Sequence, residues 1–190
     1  MKYPNGINKS KVISYSNRGM ALEDDLNQTN KYYLESDIAV IYKKPTPITV
    51  NKVDFKSRRD ALIKEAHFKV PSTTDYNGIY MGRYIDFEAK ETKQKYFPLS
   101  NIHSHQIEHL KKIKKHGGIG FIIVRFNLFN ETYLLEIDKF VDFLDNNIRK
   151  SIPIEYFREY GYIILEKYSP RLDYLKIIKH LYFKGESLWK

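Results

Sequence analysis

The residues best equipped for chemistry are two carboxylates and a lysine. Asp75 lies in TTDYNG (73–78), and Glu88 and Lys90 lie in YIDFEAK (84–90), an Asp-(x12)-Glu-x-Lys spacing. From Tyr84 to Lys90 the residues alternate, with Tyr84, Asp86, Glu88 and Lys90 on one side and Ile85, Phe87 and Ala89 on the other. Successive residues of a strand point to opposite faces, so a strand here gives its apolar set to a core and carries Asp86, Glu88 and Lys90 in line on its outer face. Asn77-Gly78 is a turn signal, which puts Asp75 in a turn before that strand. Two carboxylates suit Mg2+ through oxygen, leaving other positions to water and phosphate oxygens. A cation held this way polarises a phosphate and makes a water acidic. A lysine on the same face orients that water or neutralises charge building at the phosphate. The chemistry is phosphodiester hydrolysis. Glu-x-Lys alone is equally a salt-bridged strand surface; the turn aspartate and the basic chain favour a site. Asp86, one step before the pair, is explained as well by a salt bridge to Arg83 or a supporting role as by contact with a cation.

A second element adds to this set. In NIHSHQIEHLKKIKKHGG (101–118) Ile102, Ile107, Leu110 and Ile113 recur at helical spacing and the two glycines stop the helix. Gln106 falls within that apolar face, where an amide needs partners. The strand's carboxylates or a cation-bound water would serve, and so would backbone. HQIEH (105–109) matches the inverted zinc-protease pattern His-x-x-Glu-His, with Glu186 as the only distant acidic third ligand. His105 and His109 lie at the flank of the apolar face, which favours solvent- or phosphate-facing histidines over a zinc peptidase. GIY (78–80) lacks the Tyr-Ile-Gly that the nuclease class of that name requires.

The elements that must position these residues follow in order. Residues 1–16 read as a flexible basic arm. Ser16 or Asn17 caps a helix to about Glu35, with Leu22, Leu26, Thr29 and Tyr33 as its inward stripe. DIAVIYK (37–43) reads as a buried strand stopped by KPTP (44–47). Residues 48–70 alternate at both ends and suggest two arms of a projecting hairpin. Lys52, Lys56, Arg58, Arg59, Lys64 and Lys69 there stand against Asp54, Asp60 and Glu65, with Phe55 and Phe68 interleaved. Cations with aromatics fit phosphate contact and base stacking. After the strand pair 78–91 and the helix at 101–116 come a nearly all-apolar strand (119–126) and its hairpin partner (131–137). A helix near 138–148, a strand at 162–166 and a helix near 170–183 complete the chain. The fold class is α/β, a mixed central sheet flanked by helices in one domain over 1–190, with the insertion at about 48–70 as a stalk.

Composition sets the bounds. The 190 residues are 42% hydrophobic and 15% aromatic, enough for a core and without a disorder signature. No apolar run is long enough to span a membrane, and the N-terminus has no signal-peptide core, so a soluble intracellular protein is expected. The chain contains no cysteine, which excludes disulfides, thiolate metal sites and cysteine nucleophiles. A net charge of +9, from 32 Lys+Arg against 23 Asp+Glu, favours polyanionic partners, nucleic acid first.

On SNRGMALEDDLNQTNKYYL (16–34), KKPTP (43–47), STTDYNGIYMGRYIDFEAKET (72–92), FPLSNIHSHQIEHL (97–110) and YSPRLDYLKIIKHLYF (168–183), the chain resembles the RecU family of Holliday-junction resolvases from Gram-positive bacteria, within the PD-(D/E)xK nuclease superfamily. These stretches span nearly the whole chain in family order. The resemblance implies a restriction-endonuclease-like fold and a homodimer that nicks two opposed strands of a four-way DNA junction in recombination and repair. It implies Mg2+, with Mn2+ as a substitute, on Thr73, Asp75, Glu88 and Gln106, and Lys90 at the transition state. Thr73 comes from the resemblance alone. The projection at 48–70 becomes a stalk entering the junction, with Arg18, Lys56, Arg58, Arg59, Lys64 and Lys69 on phosphates. A recombinase and a branch-migration motor become expected partners, and the cytoplasm, at the nucleoid, the expected location. Glu23, on the first helix where many superfamily members carry a glutamate, sits on its flank and reads as a surface carboxylate. A junction-binding or recombinase-modulating protein with a decayed centre is the rival; an intact Asp75, Glu88 and Lys90 set argues against it.

Overall fold

The structure, a computed structural model, describes residues 21–54, 62–68 and 73–183. The leading residues, including Arg18 and the expected basic arm, lie outside the described part, as do Lys56, Arg58, Arg59, Lys69 and Glu186. Helix α1 (Ala21–Glu35) buries Leu22, Leu26, Thr29 and Tyr33, the four residues its spacing selects. Strand β1 (Val40–Lys43) follows, then β2 (Ile48–Asp54) and β3 (Leu62–Phe68), then the hairpin of β4 (Tyr76–Tyr80) and β5 (Arg83–Thr92). Strand β6 (Tyr96–Pro98) and a short 3-10 turn lead into α2 (Ser104–Lys115). Then come β7 (Ile119–Phe126), β8 (Glu131–Glu136), α3 (Ile137–Asn146), β9 (Ser151–Pro153), α4 (Ile154–Tyr160), β10 (Tyr162–Ile163) and α5 (Tyr174–Tyr182).

Six strands form one sheet in the order β1-β4-β5-β7-β8-β10, in which β5 and β7 are parallel and every other neighbour pair is antiparallel. The sheet is mixed because β5 reaches β7 through the α2 crossover, hairpins join β4 to β5 and β7 to β8, and longer connections bring β1 and β10 to the edges. Helices cover both faces. Leu22 and Leu26 of α1 and Leu175 and Ile178 of α5 pack with Ile85, Phe87, Phe121 and Ile123. On the other face Leu110 of α2, Phe140 of α3 and Phe157 of α4 pack with Ile122, Val124 and Leu135. Coverage of both faces explains why β7 is apolar except at Arg125, which pairs with Asp25, and is buried at every residue. Through the centre of the first layer Tyr76, Phe87 and Phe121 stack with ring centroids 4.9 and 4.8 Å apart, tying β4, β5 and β7 together.

Several expectations need correction. The outer face of β5 is not outer, because α2 lies over it and leaves Asp86 and Glu88 0% exposed. Asn77-Gly78 is not a turn but lies inside β4; the turn is Met81-Gly82, both with positive φ (46° and 74°), the two-residue connection that suits strand twist. Gly78 answers to crowding instead, since a Cβ there would lie 2.0 Å from the Val40 carbonyl oxygen of β1. DIAVIYK is an edge strand, with Ile41 buried and Val40, Tyr42 and Lys43 exposed. The strand expected at 162–166 shrinks to Tyr162–Ile163, and α4 with the β6–β9 pair was not anticipated. Three-residue strands and a seven-residue helix are too short to show a period.

Residues expected to form two arms of a hairpin give β2 paired with β3, antiparallel, in a sheet of their own with register irregularities around Lys52. Ile48, Val50, Val53, Leu62 and Ile63 on it are exposed. Among the described residues no helix is long and apolar enough to cross a membrane.

Candidate active site

The spacing of Asp75 and Glu88 follows from hairpin register. Strand β4 pairs antiparallel with β5 from Tyr80↔Arg83 to Tyr76↔Phe87. One step further along the same register, Asp75 comes opposite Glu88. The β4 backbone has left the ladder there, and the Asp75 carboxylate replaces it: Oδ2 accepts the Ala89 backbone N–H at 3.1 Å. The Lys90 ammonium lies 3.5 Å from Asp75 Oδ2 and forms an ion pair with Glu88 Oε1. The three sequence-selected residues therefore meet where the hairpin ends.

Glu88 is the unusual member. It is fully buried, and among the described residues no backbone or neutral donor satisfies its carboxylate; its charged partner is the Lys90 ammonium, paired with Oε1. Burial, then the Asp75 charge, pushes its pKa up to about 7 against the pull of Lys90. For Lys90, burial alone would lower the pKa, but the adjacent Glu88 and Asp75 charges outweigh it and hold the ammonium above its ordinary value. Lys90 is therefore a fixed cation at neutral pH, suited to stabilising negative charge rather than to removing a proton.

Gln106 points inward from α2 and is buried, as its place in the apolar face requires. Its Oε1 accepts the His103 backbone N–H at 3.0 Å within a capping box, so backbone supplies its partner. A carbonyl oxygen keeps a second lone pair, which leaves it able to face the centre as well. Thr73 is exposed beside Asp75, and its Oγ1 accepts from Lys44 Nζ at 3.1 Å. Among the described residues no three or more His, Cys, Asp or Glu side chains gather in a way that could hold a metal. Any cation here draws on two carboxylates and neutral oxygens, a donor set for Mg2+ rather than zinc. A buried carboxylate that has, among the described residues, only Lys90 as a donor, across from a second carboxylate, fits such a cation.

Other expected residues fall elsewhere. Arg83 does not reach Asp86; it donates to the Gly117 carbonyl at 3.1 and 2.8 Å and lies over the Tyr182 ring. Glu23 pairs with Lys43 at the surface, as its flanking position suggested. In HQIEH, His109 Nε2 lies 3.0 Å from Asp86 Oδ2, Glu108 pairs with Lys111, and the His105 ring stacks on His103. Of the cations proposed for nucleic acid, Lys64 is described; it is exposed on β3 and pairs with Asp54 at 2.7 Å. Sequence reasoning missed Lys44 and Thr74 around Asp86, and His109, expected to face solvent or phosphate, lies against Asp86. Tyr84, which also reaches Asp86, was legible from the alternation; nothing local marks Lys44, 42 residues away from its partner.

Fold and site together define a class: mixed-sheet α/β proteins with an acid–acid–lysine centre at the end of a hairpin that feeds a parallel strand pair. Within it the assignment is specific. The profile of the RecU family (Recombination protein U) matches residues 17–180, and the chain belongs to that family. It is 52% identical over 203 residues to the Holliday junction resolvase RecU of Bacillus subtilis (strain 168), covering 98% of each chain. It is 49% identical over 197 residues to the protein of the same name from Bacillus cereus (strain B4264), covering 96% of this chain and 98% of that one. The solved structure of Hjc, a Holliday junction resolvase from Archaeoglobus fulgidus, overlaps more loosely, with a TM-score of 0.45 and 12% identity over 76% of this chain and 95% of that one.

Proposed function

We propose that this chain is a Mg2+-dependent endonuclease that resolves four-way DNA junctions by paired, symmetric nicks, acting in the cytoplasm at the nucleoid in recombination and repair. The observation that carries the reading is Glu88: a fully buried carboxylate that has, among the described residues, only the Lys90 ammonium as a donor, opposite Asp75, in a RecU-family chain. Asp75 and Glu88 would hold the cation, with oxygens of Thr73 and Gln106 completing the protein's share. Mn2+ would substitute. The cation would polarise the scissile phosphate and supply a reactive water at neutral pH. The chain's own part is placement and charge. The Ala89 N–H fixes the Asp75 carboxylate, α2 keeps solvent from Glu88, and the Lys90 ammonium offsets charge gathering on the phosphate oxygens.

Four-way junctions present paired strands, and a two-fold dimer with two equivalent centres would match that symmetry. Junction choice would come from shape, through the β2–β3 stalk and phosphate contacts by Arg18, Lys56, Arg58, Arg59, Lys64 and Lys69. A recombinase and a branch-migration motor are the protein partners this role would bring.

Glu88→Ala and Lys90→Ala assayed on a synthetic four-way junction with Mg2+ test the centre. Each should lower cleavage by roughly 100-fold or more while the junction is still bound; wild-type cleavage by both would show that the site is elsewhere. Removing residues 52–68 tests the stalk. The fold should persist, preference for junctions over duplex should disappear, and the salt dependence of binding should flatten. Unchanged junction preference would end the stalk assignment.

A further inference from the structure

Asp86 shares a face of β5 with Glu88, is as fully buried, and takes no part in the chemistry above. Its carboxylate is instead filled with donors from four segments. Oδ1 accepts from the Thr74 hydroxyl, and Oδ2 accepts from Lys44 Nζ at 2.8 Å and Tyr84 OH at 3.1 Å, with His109 Nε2 of α2 at 3.0 Å. Lys44 is equally committed. Its three ammonium protons match three acceptors, Thr73 Oγ1 at 3.1 Å, Thr74 Oγ1 at 2.5 Å and Asp86 Oδ2. Its backbone N–H donates to the Asp75 carbonyl at 2.8 Å. One side chain and its own amide thus grip Thr73, Thr74 and Asp75 in turn.

A buried ion pair is a weak source of net stability, because desolvation offsets attraction, so this pair calls for another use. The use is local. The β4–β5 ladder ends at Tyr76↔Phe87, so residues 73–75 are not paired with β5 by backbone, and on the other side the Lys44 amide carries the β1 register one step on to Asp75. We infer that Lys44 and Asp86 form a clasp that positions the cation centre: Asp86 anchors Lys44 in the interior, and Lys44 holds Thr73–Asp75 against β5. The clasp sets the separation of the Asp75 and Glu88 carboxylates. Lys44 and Asp86 are positioning residues and neither is a ligand, since every oxygen of Asp86 already accepts. The inference rests on reading Asp75 and Glu88 as the cation's ligands.

The test titrates Mn2+ alone, without DNA, into the full chain and its variants by calorimetry, and follows the Ala89 amide proton by NMR in the metal-free protein. Lys44→Met should bind Mn2+ roughly 10–100-fold more weakly, the range seen when groups supporting a ligand are removed. Its Ala89 amide resonance should move upfield as Asp75 Oδ2 withdraws. Thr74→Val, which deletes one hydroxyl and no charge, should shift both readouts the same way by less. Wild-type Mn2+ affinity in Lys44→Met overturns the clasp. So does loss of all Mn2+ binding in Asp86→Asn beside normal binding in Lys44→Met, which would make Asp86 a ligand. If Lys44→Met does not fold, Thr74→Val decides, and an unchanged affinity with an unchanged Ala89 resonance overturns the inference. Normal Mn2+ binding by Glu88→Gln would sink the cation-site reading itself; the Ala89 resonance in metal-free Lys44→Met still reports on the clasp.

Discussion

Asp86 and Glu88 stand two residues apart on one face of β5, both fully buried, and their neighbours treat them in opposite ways. Asp86 accepts from Lys44, Thr74 and Tyr84, with His109 alongside. Glu88 has, among the described residues, only the Lys90 ammonium as a donor. Burial, then the facing Asp75 charge, disfavours the charged form more than Lys90 favours it, and the Glu88 pKa rises to about 7. The difference teaches how a sheet separates scaffold from reagent: the satisfied carboxylate organises the chain around it, and the starved one retains a demand for a cation.

The comparison breaks most sharply at activity. Glu88→Gln should remove about 100-fold or more of junction cleavage, since the amide cannot supply an anionic oxygen where a cation must sit. Equal cleavage by wild type and Glu88→Gln would erase the distinction between the two carboxylates.

Stability is the next lever, and here the residues should move in opposite directions. Asp86→Ala strands the Lys44 ammonium and leaves Thr74 and Tyr84 without their acceptor; loss of one partner of a buried pair costs about 3–5 kcal/mol. Glu88→Gln in the metal-free protein should instead gain roughly 1–3 kcal/mol at pH 8, because it removes a carboxylate whose charging is unfavourable in the fold. Urea unfolding measures both. Destabilisation by both to a similar extent would mean that Glu88 is satisfied after all.

The smallest expected effect sharpens the same point through pH. A glutamate whose folded pKa lies above its unfolded value of 4.5 binds its proton more tightly when folded. That contribution to stability is full below about 4.5 and is lost as pH rises through about 7. Unfolding free energy of the metal-free wild type should therefore fall across this window relative to Glu88→Gln. The Mg2+ concentration needed for half-maximal cleavage should fall over the same window, because cation and proton compete for one carboxylate. A Mg2+ requirement flat between pH 6 and 8 would remove Glu88 from the ligand set.

What could be read from the sequence divides along physical lines. The β5 alternation, the α1 stripe and the apolar β7 were legible because periodicity reports a buried face directly. Glu88 and Lys90 were legible as a same-face pair for the same reason, with chemistry added; Asp75 was singled out by its residue type beside a turn signal at Asn77-Gly78 that lies inside β4 instead. The face they occupy was misjudged: a polar row on a strand looks solvated, and only packing by α2 shows that Asp86 and Glu88 are buried. Asn77-Gly78 misled because glycine there answers to the approach of β1, which local sequence does not encode. Gln106 was correctly taken as inward, but its capping bond to His103 needed the actual helix start. Lys44 was invisible because a lysine before Pro45 reads as a strand end, and its acceptors lie in other elements.

The two-residue connection at Met81-Gly82 gives this hairpin a reading frame. An insertion of one residue between Arg83 and Phe87 would rotate Glu88 and Lys90 onto the aromatic layer and turn apolar side chains toward α2. An insertion of two would restore the face but carry Glu88 about 7 Å along the strand, past Asp75. The centre therefore tolerates neither parity of length change on that strand, whereas the chain between Gly82 and Tyr80 can lengthen outward without moving either carboxylate. Variation in length belongs to the tip of the hairpin, and its far end, where the ladder gives way to a carboxylate, is fixed in count as well as in kind.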